Sequence, residues 1–237
     1  MQRYFSNKLK DNKFELRDDD MYHITRVMRM TSGDKIEVVC NENVYLCCLE
    51  NVNNKLEISV VSVIEKEKKE IKEKVLIIPL LKEAKMDLIL QKATELGVDK
   101  IIPVIMERSI IKLEKDKEIK KLERWSKICK EASEQSMRLN IPIISNVKTL
   151  KDLEKLDGLK VVCSTKEKKN SIKLFLQSHK TYDRINIVIG PEGGLAPKEE
   201  EYLNSIGFES ITLGEQIMRV ETVPMYILSV INYENME

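Results

Sequence analysis

Two glycine-bearing stretches near the carboxyl end hold the residues best suited, by type and spacing, to chemistry: "IGPEGGLAP" from Ile189 and "LGEQIMRVET" from Leu213. In the first, the apolar run Ile185 to Ile189 ends in Gly190, Pro191, Glu192, Gly193 and Gly194. Pro197, Lys198, Glu199 and Glu200 then open a helix. A strand, a glycine turn and a helix meeting this way either just turn the chain or let the backbone approach a ligand and offer it amides, because glycine has no Cβ to hold a ligand off. In the second stretch, Leu213, Gly214, Ile217, Met218, Arg219 and Glu221 form another strand end before a last helix. Arg219 and Glu221 read as a surface ion pair, or as a cation and a carboxylate serving a site. A third cluster, Glu131, Glu134, Gln135 and Arg138, shares one helix face by its spacing of three and four, and reads equally as a solvated helix end.

Other chemistries fall away. "GPEGGLAPK" lacks the lysine and hydroxyl of a P-loop, and the first strand of the α/β portion runs into "PLLKEAKMD" rather than a dinucleotide-binding glycine fingerprint. Five cysteines, Cys40, Cys47, Cys48, Cys129 and Cys163, show no CxxC spacing, and His23 and His179 make no metal site by themselves. Neither zinc nor a disulfide framework is expected. His23 lies in "HITRVMRM", where Arg26 and Arg29 add a small basic patch.

The elements that must position these residues follow from periodicity. From Lys35 to Val63, short β-branched runs are separated by "NEN" and "NVNNK", which is hairpin punctuation, so residues 1–70 read as a small β domain. The charge run "EKEKKEIKEK" from Glu65 marks a boundary, and residues 74–237 read as a second domain. There, strands at Val75, Lys100, Lys160, Ile185 and Ser210 alternate with helical patterns. One helix carries Met86, Ile89, Leu90, Ala93 and Leu96 before Gly97; another carries Ile119, Leu122, Trp125, Ile128, Cys129 and Ala132. Alternation of this kind predicts a mostly parallel sheet covered by helices, an α/β fold.

With 40 Lys plus Arg against 39 Asp plus Glu, the net charge is +1, so any nucleic-acid contact must be local. The amino terminus lacks a signal-peptide core, and no apolar run approaches the ~18–20 residues that span a bilayer. A cytoplasmic protein with reduced thiols and no membrane partner is the expectation.

Taken in order, "MQRYF", "HITRVMRMTSGDKI", "KMDLILQKATELGVDKIIPVIMERS", "EASEQSMR" followed by Pro142, "IGPEGGL" and "LGEQIMRVET" resemble the RsmE family of SPOUT-class RNA methyltransferases over nearly the whole chain. The resemblance implies a PUA-like β barrel followed by a SPOUT domain with a carboxyl-terminal trefoil knot, which topology rules alone would not suggest. It further implies methylation of N3 of one uridine in 16S ribosomal RNA with S-adenosylmethionine as cofactor, and a homodimer. Gly190 through Gly194 and Leu213 through Arg219 would wrap the cofactor, with Ser164 a further contact. Ala196 stands where relatives commonly have Ser or Thr, so a helix cap worth about 1 kcal/mol is expected to be lost. Val223 replaces the usual alanine, which would crowd the last helix.

Uracil N3 is a weakly acidic imide nitrogen, so methylation needs proton removal and stabilisation of the anion. Arg219 and Arg138 are the candidate cations, and Glu192 and Glu221 the candidate acceptors or structural partners. N3 is used in base pairing, so the target base must be exposed or flipped. Arg3, His23, Arg26 and Arg29 of the first domain are the expected RNA contacts.

Overall fold

The computed structural model describes residues 1–64, 72–109 and 115–236, so most of the charge run beginning at Glu65 lies outside the described residues. The chain divides into two compact units: Met1–Lys69 with Ser133–Ile141, and Glu70–Ala132 with Pro142–Glu237.

The first unit contains β1 (Arg3–Phe5), β2 (Leu9–Lys10), β3 (Lys13–Phe14), α1 (Asp18–Tyr22), β4 (Lys35–Cys40), β5 (Asn43–Val52) and β6 (Lys55–Ile64). Its six strands form one sheet in the order β1-β4-β5-β6-β3-β2, parallel only between β1 and β4. Asn41 and Glu42 join β4 to β5, Asn53 and Asn54 join β5 to β6, and both residues of each pair have positive φ. Such two-residue turns match the strand twist, and asparagine tolerates them better than most side chains. Tyr4, Phe14, Ile24, Ile36, Val38, Cys47 and Leu49 pack one buried core. After α1 the chain continues into a single π turn, His23–Val27.

The second unit contains β7 (Glu73–Pro79), α2 (Glu83–Glu95), β8 (Lys100–Val104), α3 (Lys115–Gln135), whose end counts with the first unit, and β9 (Ile143–Ile144). There follow β10 (Leu159–Cys163), α4 (Ile172–Ser178), β11 (Arg184–Ile189), α5 (Pro197–Ser205), β12 (Glu209–Ile211) and α6 (Thr222–Glu234). The sheet order is β12-β10-β11-β7-β8-β9 and every pair is parallel. An all-parallel sheet is covered on both faces, which explains the unbroken buried runs Val75–Ile78 and Ile185–Ile189. The expected α/β alternation is thus present.

Local stops behave as the residue types dictate. Gly97, with φ +82°, ends α2: its amide donates to Thr94 and that of Val98 to Ala93, a Schellman arrangement. On α3, Trp125, Cys129 and Ala132 are buried, but Ile119 is 68% exposed, so the packed stripe starts later than its apolar spacing suggests. Ala196 offers no side-chain cap to α5, yet Glu199 reaches back to the Ala196 amide at 2.9 Å and also accepts from the Glu107 amide at 2.7 Å. The reciprocal half of a capping box is therefore made, and it offsets part of the expected loss. In α6, Ile227, Leu228 and Ile231 are fully buried, whereas Tyr233 is exposed.

Candidate functional site

At the carboxyl ends of β10 and β11 lies a cavity of about 350 Å³. Cys163 and Ser164 close one side, Ile189 and the turn Gly190, Pro191, Glu192 and Gly194 another, and Ile217, Met218 and Arg219 a third. Lys85, in the first turn of α2, completes the rim. A smaller cavity of about 60 Å³ shares Ser164, Ile217, Met218 and Val223 with it and adds Leu213 and Gly214. The two glycine-bearing stretches therefore converge on one place, at the strand ends where open parallel sheets bind ligands.

Backbone conformation explains the glycines. A Cβ on Gly190 would lie 3.1 Å from both the amide nitrogen and Cγ of Leu195, so the turn closes tightly only without one. Gly194 and Gly214 have φ of +71° and +127°, and a Cβ on either would meet no heavy atom within 4 Å. Gly193 differs: it is not among the lining residues, its Cβ position faces Arg108, and its carbonyl accepts from Arg108 Nη1 at 2.9 Å. Ser164 Oγ accepts from the amides of Lys166 at 3.1 Å and Glu167 at 3.4 Å, which holds the chain after β10 in a turn.

Electrostatics sort the charged residues. Lys85 Nζ lies 2.5 Å from Glu192 Oε1 and 3.2 Å from Glu221 Oε2. These contacts raise the lysine's pKa, the Glu192 bond most and then Glu221. The Glu221 carboxyl is held below its usual range, first by its own backbone amide, then by Lys85 and Arg219. Its Oε2 is buried, with Lys85 Nζ 3.2 Å away as an ion-pair partner. Lys166 pairs with Glu200 at 3.2 Å. Arg219 is exposed and forms no ion pair among the described residues. Burial pushes the Cys163 thiol up to about 12, which removes it as a nucleophile at neutral pH.

In the first unit, one expectation needs correction. Arg3 is buried. Its guanidinium binds Glu37 at 2.9 and 2.5 Å and donates to the carbonyls of Met137 and, at 3.2 Å, Arg138. Buried, paired with Glu37 and donating to two backbone carbonyls, this guanidinium holds the fold rather than a phosphate. Arg138 belongs to the first unit, with Nη2 2.8 Å from Asn140 Oδ1. His23 is half-buried with Nδ1 2.9 Å from the Tyr4 hydroxyl, while Arg26, Arg29 and Tyr22 are exposed. Val223 lines both cavities.

Sequence reasoning missed Lys85 and Arg108. The signal for Lys85 was its position in the first turn of a helix directly after a strand end; for Arg108 no local signal existed, because its partner is distant in sequence.

Comparison with known proteins gives first the class. Residues 67–232 match the RNA methyltransferase domain family and residues 16–62 the RNA methyltransferase PUA domain family. The second unit is thus a methyltransferase domain and the first a PUA-like one. A ribosomal RNA small subunit methyltransferase E of Bacillus subtilis is 36% identical, with 99% of this chain and 97% of that one aligned. That of Mesomycoplasma hyopneumoniae is 37% identical, over 97% and 98%. A crystal structure of the Neisseria gonorrhoeae enzyme bound to S-adenosyl methionine matches with a TM-score of 0.86 at 26% identity, over 98% and 97%. The chain belongs to the ribosomal RNA small subunit methyltransferase E family, RsmE.

Proposed function

We propose that this protein methylates N3 of a specific uridine in 16S ribosomal RNA, using S-adenosylmethionine. The observation that carries the reading is the convergence of the two glycine-bearing loops, through Gly190–Glu192 and Gly194 of one and Ile217–Arg219 of the other, on one cavity of about 350 Å³ at the ends of a parallel sheet. That volume suits a small-molecule site. The residues present fit the cofactor: Gly194 and Gly214 leave open space where side chains would stand, and Ile217, 82% exposed, offers an apolar face to a ring. Ser164, Gly190 to Glu192, Gly194, Leu213, Gly214, Ile217 and Met218 would hold it, largely through backbone groups.

Bound there, S-adenosylmethionine supplies a methyl group on a sulfonium, activated for in-line transfer. The chain's own task is to hold the uracil and manage its charge. With the N3 proton released to water, Arg219 would stabilise the negative charge left on the imide, which would take the methyl carbon as its bond to sulfur breaks and leaves a neutral thioether. Glu221, ionised and paired with Lys85, is a weak base at neutral pH, which suits a structural partner better than a proton acceptor. Arg26 and Arg29 contact RNA phosphates, and the flipped base enters from the solvent side of the cavity.

We further infer that the two loops belong to a trefoil knot, that residues 1–70 and 74–237 act as RNA-binding and catalytic domains, and that the working form is a cytoplasmic homodimer engaging the small ribosomal subunit. No helix among the described residues is long and apolar enough to cross a membrane. Light scattering at micromolar concentration tests the dimer, with a monomeric mass counting against it. The decisive experiment for the activity is nucleoside analysis of 16S RNA from cells lacking the protein. N3-methyluridine should vanish and return on complementation; an unchanged nucleoside profile would transfer the activity to another RNA or leave a binding role only.

A further inference from the structure

Lys85 sits where helix physics does not want it. It is the third residue of α2, in the first turn, where the helix dipole disfavours a cation and welcomes acids such as Glu83. Its ammonium does not escape to solvent. It bridges Glu192 of the glycine turn and Glu221 at the foot of α6, at 2.5 and 3.2 Å, with about one third of its own side-chain surface exposed. Three segments distant in sequence, the start of α2, the turn after β11 and the start of α6, are thereby tied at one rim of the cavity. Two of the three also carry the residues proposed to face cofactor and base: Gly190, Pro191 and Gly194 on one side, Arg219 two residues before Glu221 on the other.

We propose that Lys85 is a positioning residue for this cavity: a clasp that holds the glycine turn and the Arg219 segment in register by engaging Glu192 and Glu221 together. The inference rests on the methyltransferase reading. Without the ammonium, two carboxylates would face each other across the rim, and their repulsion would spread the loops that it now draws together. Glu221 supports the assignment independently, because a buried carboxylate oxygen without a full hydrogen bond tolerates its place only while a cation stands beside it. Arg219, exposed and without an ion pair among the described residues, stays free for the substrate because Lys85 has taken Glu221.

The test is a double-mutant cycle read by calorimetric binding of S-adenosylmethionine to the full-length protein, with no RNA present. Lys85→Met, Glu192→Gln and Glu221→Gln are measured singly and in pairs, with Lys85→Arg as the conservative variant and thermal unfolding as a control. A clasp predicts that Lys85→Met weakens binding about tenfold, that adding either glutamine costs little more, and that Lys85→Arg recovers most of the loss. Raising the salt concentration should narrow the gap between parent and Lys85→Met, since the tie is ionic and partly exposed. Unchanged affinity in Lys85→Met, or strictly additive losses in the pairs, would overturn the proposal; additivity would mean that lysine meets the ligand directly. Should Lys85→Met fail to fold, the doubly substituted Glu192→Gln, Glu221→Gln variant, which leaves the lysine in place, tests the tie from its other end: it should lose affinity as Lys85→Met would, and parental affinity in it would overturn the proposal. A parent protein that binds no S-adenosylmethionine would instead sink the functional reading, so the two failures are distinguishable.

Discussion

Arg3 and Glu37 face each other directly across β1 and β4, with two guanidinium nitrogens 2.9 and 2.5 Å from one carboxylate oxygen and the side chains 2% and 14% exposed. The pair also carries the carbonyls of Met137 and Arg138, so it anchors the returning segment within the first unit. Removing one partner strands a buried charge, which costs about 3–5 kcal/mol. Arg3→Ala should therefore lower stability by that order in denaturant unfolding. Arg26 and Arg29 are exposed and should behave oppositely. Arg26→Ala with Arg29→Ala should leave unfolding unchanged but weaken RNA binding, with the salt slope shallower by about 1.4 for two lost phosphate contacts on a single strand. An unchanged slope would remove the patch from RNA recognition.

The glycine turn gives a sharper contrast. Gly190 and Gly193 are close in sequence, but only a Cβ at Gly190 would press on the Leu195 backbone. Gly190→Ala should destabilise by about 1–3 kcal/mol through overpacking and weaken cofactor binding measured by calorimetry. Gly193→Ala, with 3.5 Å to a flexible arginine side chain and no positive φ, should stay within about 0.5 kcal/mol of the parent in unfolding. Equal losses in both would mean that the turn has no more room for a Cβ at Gly193 than at Gly190.

Much of this was legible in the sequence, for identifiable reasons. Hairpin turns at Asn41–Glu42 and Asn53–Asn54 announce themselves because few residues accept positive φ, and buried parallel strands because both faces need apolar side chains. Both cavity loops were visible as glycine-bearing strand ends. What stayed hidden was partnership. Arg3 looked like an RNA contact because its partners, Glu37 and the carbonyls of Met137 and Arg138, lie far along the chain. Lys85 looked like an ordinary helix lysine because Glu192 and Glu221 are more than a hundred residues away. Charge alone does not say which arginine is spent and which is free.

Glu221 supplies a pH dependence with a definite sign. Its carboxyl titrates below the ordinary value of 4.5 in the folded protein, through its own amide first and then Lys85. A depressed carboxylate contributes stability that is fully present above the unfolded value and is lost as pH falls through the folded one. Glu221→Gln should thus be less stable than the parent near neutral pH, and the difference in melting temperature should close as the solution is acidified below 4.5. A gap that persists unchanged in acid would assign the loss to shape rather than charge. The partly exposed Lys85 contact is screened by solvent, so the gap should also narrow with added salt.

Arg219 is the residue whose chemistry can be separated most cleanly from its structure. It lines the cavity from the segment between the second loop and α6, is exposed, and has no ion pair among the described residues. An arginine held in a structural pair would lower stability or cofactor affinity when removed. A guanidinium reserved for the imide makes its contact only as charge builds on uracil, so its removal should fall on the rate. Arg219→Ala and Arg219→Lys should both bind cofactor and RNA like the parent, while single-turnover methylation slows in both. Lysine should slow it less, because it keeps the charge and loses only the planar fork. Removing one such stabilising donor typically costs about 100- to 1,000-fold in rate, and alanine should fall in that range. Raising the pH should recover part of the loss, because a more alkaline solution takes the N3 proton without help from the missing cation. A single-turnover rate equal to the parent's once cofactor is saturating, with lower melting temperature or weaker cofactor binding instead, would make Arg219 a structural residue and leave the anion to another group.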